Sequence, residues 1–251
     1  TYGATVLLVD GNYDAAFELC LAASKEFGWY CRNTGYNPYT VEGKKTAAFE
    51  ICEQLGWRAP DYLFVSVGDG NIITGLHRGL QDLLALGWIE RMPRLMAVQA
   101  SGSSAIYNAW ASGAEVITPV QAVTVADSIA ADLPRDGMRA LRAIRATGGA
   151  ALQVSDAEIL AAIPTLARLT GVFAEPAGAA ALAGLQKALA ASDAASQLPK
   201  TGWQGTIAAD AVVVLMITGS GLKDIASAMK ASGPAPIIEP TLAAVKRALA
   251  G

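Results

Sequence analysis

Residues 65–75 read VSVGDGNIITG, an apolar run that stops at a glycine-rich turn and restarts with apolar residues at helical spacing. The chemistry this arrangement offers is anion binding. Val67 closes the apolar run, Gly68 and Gly70 let the backbone turn tightly, and residues 72–80 carry the helical periodicity. The free N–H groups of a helix start, with the positive end of the helix dipole behind them, hold a phosphate dianion without a lysine or arginine beside it. An ordinary strand-to-helix connection has the same local pattern, because Gly-x-Gly alone is common and the third glycine of dinucleotide-binding spacing is absent. Asp69 sits in the middle of the turn. A carboxylate beside a phosphate costs Coulomb energy, so its side chain is expected to turn away or to cap the following helix.

A second loop has the same construction. Residues 211–217 (AVVVLMI) form another fully apolar strand candidate, and it ends in Thr218-Gly219-Ser220-Gly221-Leu222-Lys223-Asp224. In an open parallel sheet, ligands bind outside the carboxyl ends of the strands. If the two strands are neighbours, both turns face one pocket, and that pocket takes a phosphorylated ligand.

The elements that must position these loops alternate along the chain. The pattern gives strand 4–9, helix 14–27, strand 29–32, helix 42–55, strand 62–67, helix 72–86 and strand 94–100. Alternating β and α elements imply an α/β fold with a mostly parallel sheet covered by helices on both faces, since parallel strands need long crossover connections. After residue 100 the chain becomes more helical, with a short helix at 103–112, a mixed segment at 122–128 and a helix at 135–147 ending at Gly148-Gly149. Ser155 and Glu158 have capping-box spacing ahead of an apolar-periodic run. Residues 188–195 are alanine-rich, as expected of a helix end and a surface loop.

Of the 251 residues, 53% are hydrophobic and 16% charged, enough apolar content for a large core. The net charge of −3 comes without a lysine or arginine cluster, which argues against nucleic acid and membrane as partners and leaves small molecules. Cys20, Cys31 and Cys52 are odd in number and lack CxxC spacing, so they read as buried free thiols in a reducing compartment, with no metal site. No apolar run approaches the roughly 20 residues of a membrane span, and the first residues lack a signal-peptide pattern, so the expected location is cytoplasmic.

Four motifs taken together are specific where each alone is weak. They are Asn37-Pro38-Tyr39-Thr40-Val41-Glu42-Gly43-Lys44-Lys45-Thr46, Val67-Gly68-Asp69-Gly70-Asn71, Phe173-Ala174-Glu175-Pro176-Ala177-Gly178-Ala179-Ala180, and Thr218-Gly219-Ser220-Gly221-Leu222-Lys223-Asp224. In order and spacing, along nearly the whole chain, the set resembles the threonine synthases, within the tryptophan synthase β-like group of pyridoxal-phosphate enzymes of fold type II. The resemblance implies a twisted, mostly parallel sheet flanked by helices, in a large domain (residues 35–251) joined near Asn37-Pro38 to the remnant of a smaller one (residues 1–34). It implies pyridoxal 5′-phosphate as cofactor, conversion of O-phosphohomoserine and water to threonine and phosphate, and a homodimer.

By the same resemblance, Val67, Gly68, Asp69, Gly70 and Asn71 hold the cofactor phosphate, and the Thr218 hydroxyl faces the pyridine nitrogen. Asn33 and Thr34 fall where relatives bind the substrate's phosphate. Thr40 stands where many relatives carry an arginine, which names Arg32 and Lys44 as candidate substitutes and opens a second reading. In that reading the protein is a threonine or serine dehydratase, or a synthase using a nucleophile such as sulfite. Family members hold their cofactor through a lysine in an upstream Ser-x-Lys-Asp type segment. No such segment occurs in these residues, so the catalytic lysine is expected on a preceding part of a longer enzyme. A third reading is a lysine-less remnant that binds a phosphate ligand or partner without catalysis. Glu175, ahead of the helix that Pro176 begins, is expected to orient a loop. Lys44, Lys45 and Lys223 are expected to be solvated charges, and His77 to lie on the outer face of its helix with no catalytic role.

Overall fold

Apolar side chains dominate four short runs, and in the computed structural model these are the strands β1 (Tyr62–Ser66), β2 (Arg94–Ala100), β3 (Ala150–Val154) and β4 (Val213–Met216). The structure describes residues 2–192, 203 and 205–249. The strand order is β3-β2-β1-β4, and every pairing is parallel, with Tyr62 opposite both Arg94 and Val213 and with Met96 opposite Ala150. From β1 the chain builds the sheet outward through β2 to β3, then returns to lay β4 on the other side of β1. The reversal leaves a crevice beyond the carboxyl ends of β1 and β4, the position where open parallel sheets bind ligands.

Nine α-helices lie among the described residues, of which the third to the seventh make the crossovers between strands. The nine are α1 (Tyr13–Phe27), α2 (Tyr39–Gln54), α3 (Asn71–Ala85), α4 (Ala105–Ser112), α5 (Gly137–Ala146), α6 (Asp156–Thr170), α7 (Pro176–Ser192), α8 (Ile225–Ser232) and α9 (Leu242–Leu249). Strand side chains alternate between two apolar layers. Phe64, Met96, Val98 and Leu152 join Ile159, Ala179 and Ala183 from α6 and α7. Leu63, Val65, Leu95 and Ala97 join Ala48, Ile73, Leu80 and Ile144 from α2, α3 and α5. Strands β1, β2 and β3 are therefore buried on both faces, as parallel sheets require, while the edge strand β4 is partly exposed.

Two glycines on α3 set its distance from α2. A Cβ on Gly75 would lie 2.6 Å from the Cβ of Lys44, and one on Gly79 would lie 2.9 Å from the Cβ of Ala48. Real Cβ atoms do not come so close, so only glycine lets the helices meet there. This close crossing carries Lys44 toward the start of α3. Elsewhere helix ends are fixed locally. Asn12 caps α1 through the Ala15 N–H, and Ser155 with Glu158 forms the full capping box of α6.

Several sequence expectations are corrected here. Residues 4–9 and 29–32 form no strand. A strand exists through its ladder, and the backbone of neither segment pairs with a neighbouring strand of the sheet. Leu8 is 95% exposed in consequence. Conversely, β3 escaped notice because AALQV has little β-branched character; its partner β2 makes it a strand. The helix expected at 135–147 begins at Gly137, with Asp136 at its N-cap. The thiols differ from one another, since Cys52 is buried but Cys20 is exposed and Cys31 intermediate. Of the alanine-rich stretch 188–195, residues up to Ser192 continue α7 and the rest lie outside the described residues.

Candidate active site

The crevice beyond β1 and β4 is a cavity of about 530 Å³ whose lining includes Val67, Gly68, Asp69, Gly70, Asn71, Thr34 and Thr218. Of the eight residues that the resemblance assigns to the cofactor or the substrate's phosphate, the structure thus brings seven together. The exception is Asn33, whose side-chain amide donates to the Phe17 carbonyl at 3.1 Å and does not line the cavity. A larger open hollow of about 740 Å³ lies under α1, walled by Leu21, Trp29 and Tyr36. It has neither a strand end nor a glycine turn, so the chemistry belongs to the smaller cavity.

The phosphate-type turn is shaped by close approaches. A Cβ on Gly68 would lie 2.8 Å from the Ile129 Cα, and Gly70, at φ +85°, has Ala140 and Asp136 at the same range. These contacts wedge the turn between the 127–131 segment and the start of α5. No side chain caps α3. Its first-turn N–H groups are therefore left to donate into the cavity. Gln99, 1% exposed, donates to the Val67 carbonyl and accepts from the Tyr107 N–H, fixing the end of β1. Ser103 bonds Ile129 and Ala131 and fixes the facing wall.

Asp69 turns away from α3. Its Oδ2 accepts from the Tyr13 hydroxyl at 2.5 Å and its Oδ1 from the Arg135 N–H at 3.1 Å. Burial pushes the carboxyl above its ordinary value, against the lowering effect of those two hydrogen bonds. Burial and the neighbouring Asp69 also push the Tyr13 hydroxyl up, so it stays a donor at neutral pH.

Asn71 is 3% exposed and its amide N–H donates to the Asp136 carboxylate and to Thr40 Oγ1. The carboxylate accepts only, which fixes the amide orientation and leaves Asn71 Oδ1 without a partner among the described residues. Ser66 Oγ, also in the cavity lining, is buried and unpartnered in the same way. Buried polar atoms are rarely left so: the Ser66 hydroxyl and the open helix start can donate to an anionic ligand, whereas Asn71 Oδ1 only accepts and calls for a donor on the ligand. The Thr40 hydroxyl donates to the Asn37 carbonyl at 2.7 Å and is not free for a ligand.

At the far end, Thr218 follows β4 and lines the cavity. Its loop is held to the start of α7 by the Glu175 N–H donating to Gly219 and the Gly221 N–H donating to Phe173. Glu175, 6% exposed, accepts from Ser128 and pairs with Lys223 at 3.3 Å, while Lys223 also donates to Ser128 at 2.5 Å. Lys223 is thus tied into the site rather than simply solvated. Lys44 is corrected as well. It is half-buried, lines the cavity, and among the described residues bonds only the Thr40 carbonyl, at 3.2 Å. Burial pushes its ammonium below the usual lysine value. Lys45, by contrast, pairs with Glu42 and Asp82 on the surface. His77 is half-buried rather than outward, and burial lowers its value too.

Sequence reasoning missed Tyr13 and Asp136, which lie 56 and 65 residues from their partners and carry no local pattern. Lys44 had a signal, since it falls one helical turn after Thr40 on the same face.

Among the described residues, no helix is long and apolar enough to cross a membrane. Residues 1–219 match the family of pyridoxal-phosphate dependent enzymes. The chain is 37% identical over 249 residues to a protein named threonine synthase from Methanocaldococcus jannaschii, and 37% identical over 251 residues to one from Methanosarcina acetivorans. It is covered over 99% and 100% of its length in these matches and spans 58% of each relative. Among solved structures it is similar to the processed form of threonine deaminase isoform 2 from Solanum lycopersicum, at 20% identity and a TM-score of 0.65, covering 92% of this chain and 60% of that one. It is also similar to diaminopropionate ammonia lyase from Escherichia coli, at 18% identity and a TM-score of 0.66, covering 91% and 58%. A glycine turn and a threonine loop meeting at the switch point of a parallel sheet fit these matches, and the chain belongs to the pyridoxal-phosphate dependent enzymes of fold type II, whose cofactor is pyridoxal 5′-phosphate.

Proposed function

We propose that this chain is part of a lyase of the threonine synthase type, converting O-phosphohomoserine and water to threonine and phosphate. The observation that carries the reading is the meeting of the 68–71 turn and Thr218 in one cavity at the ends of adjacent strands. The relatives named threonine synthase support the choice of reaction.

In this reading the free N–H groups at the start of α3 hold the cofactor phosphate, and Gly68 and Gly70 keep side chains out of its way. Asn71 contributes its backbone N–H, because its side-chain amide is committed to Asp136. Thr218 offers its hydroxyl to the ring nitrogen. An alcohol does not stabilise a pyridinium as a carboxylate does, so Thr218 leaves that nitrogen largely unprotonated. When bound, the cofactor supplies the electron sink that the carbanions of such a reaction need. Glu175, Ser128 and Lys223 fix the Thr218 loop against the facing wall.

Lys44 is taken for the substrate's leaving group, since it lines the cavity whereas Arg32 is exposed and outside it. Thr34 serves the same group. The reading also takes residues 1–34 as a piece of a smaller domain and 35–251 as the large one, in a cytoplasmic homodimer with an amino-acid substrate.

Product analysis with the full-length protein tests the reaction. Phosphate released from O-phosphohomoserine without ammonia is the expected result. Ammonia with a keto acid would replace it by a dehydratase, and neither product would replace it by a ligand-binding role.

A further inference from the structure

Aspartate is a favoured helix-capping residue, and Asp69 stands just before the N-cap Gly70 of a helix that no side chain caps. Left to itself, its carboxylate would turn onto the open N–H groups of α3, the same donors an arriving phosphate needs. It is instead held elsewhere at both oxygens, by the Arg135 N–H and by the Tyr13 hydroxyl. The Arg135 guanidinium does not share in this, because it pairs with Asp14 and Glu18 and lies 4.2 Å over the Phe17 ring. Tyr13 is therefore the one side-chain donor to Asp69 among the described residues.

The hydroxyl is held firmly in position. Tyr13 is the first residue of α1, and the start of that helix is pinned by Asn12 donating to Asp132 and by Asp14 accepting from the Asp132 N–H, each at 2.9 Å. Tyr13 also lines the cavity itself.

We propose that Tyr13 is a positioning residue of this site: its hydroxyl withdraws the Asp69 carboxylate from the start of α3 and so keeps the helix N–H groups for the cofactor phosphate. The inference rests on the reading of residues 68–71 as the phosphate cradle. A phenylalanine at position 13 preserves the ring packing against Phe17 but frees Asp69 Oδ2 to compete with the ligand. An asparagine at position 69 removes the charge, so the loss of the tyrosine hydroxyl no longer matters.

The test is a titration of the full-length protein with pyridoxal phosphate and, separately, with pyridoxal, in the wild type, Tyr13→Phe, Asp69→Asn and the double variant. The wild type is expected to prefer the phosphorylated ligand. Tyr13→Phe is expected to weaken pyridoxal phosphate binding about ten-fold and leave pyridoxal binding unchanged, and the loss should disappear in the Asp69→Asn background. An unchanged affinity in Tyr13→Phe, a loss shared equally by pyridoxal, or a loss that persists with Asp69→Asn would overturn the proposal. A wild type that does not distinguish the two ligands would overturn the cradle reading itself, and the role of Tyr13 with it.

Discussion

Lys44 shows how a single side chain changes meaning between sequence and fold. On a helix beside Lys45 it looks like one of two solvated charges, yet Lys45 has two carboxylate partners and Lys44 has only a backbone carbonyl among the described residues. A half-buried ammonium that feels Asp136 and Asp69 only at a distance, with no carboxylate in direct contact among the described residues, can still take an anion. Charge-assisted hydrogen bonds contribute roughly 1.5–3 kcal/mol, so Lys44→Ala is expected to raise KM for O-phosphohomoserine by one to two orders of magnitude, with Lys44→Arg retaining most of the affinity. Steady-state kinetics on the two variants checks this, and an unchanged KM in Lys44→Ala would assign the phosphate to another group. Asp69 was legible in part. Coulomb's law alone said that its carboxylate would avoid a phosphate, but the hydroxyl that receives it belongs to Tyr13, a residue no local pattern connects to the turn.

At the scale of elements, legibility follows how far each one depends on its neighbours. Strand β2 falls on the residues 94–100 read from the sequence, and α3 within one residue of its expected start, because an apolar run or stripe bounded by glycine or proline is a complete local signal. Residues 4–9 have strand-like composition and form no ladder, while β3 has weak composition and forms one. Pairing decides both cases. The contact of α2 with α3 was not read from the sequence, because a glycine inside a helix shows no partner until the fold supplies one. Gly79→Ala would bring a methyl group within 2.9 Å of Ala48 Cβ and the Lys45 carbonyl, both on α2. Overpacking of this kind costs about 1–3 kcal/mol, so the variant is expected to lose that much in urea unfolding, even though alanine is the better helix former. A neutral or stabilising effect would mean that the helices separate freely at this crossing.

For the molecule as a whole, the sole histidine reports on the packing of α3. His77 is half-buried and burial disfavours its charged form, so its folded value lies below the ordinary 6.5. The unfolded chain then binds the proton more readily, and the contribution to stability, complete above pH 6.5, is lost as the pH falls from there toward the folded value. Proton NMR of the one imidazole is expected to give a midpoint below 6.5; a midpoint at or above it would mean that this face of α3 is solvated. The same wholeness holds for the site. Two loops 150 residues apart become one cavity only because the chain reverses direction beside β1, and the sequence could state this only as a condition, that the two strands be neighbours. The most direct test of the account is a crystal structure of the protein with pyridoxal phosphate. The account predicts phosphate oxygens within about 3 Å of the N–H groups that open α3, with the ring nitrogen toward the Thr218 hydroxyl. A phosphate bound instead at Lys44 or Lys223, with the start of α3 left empty, would contradict it.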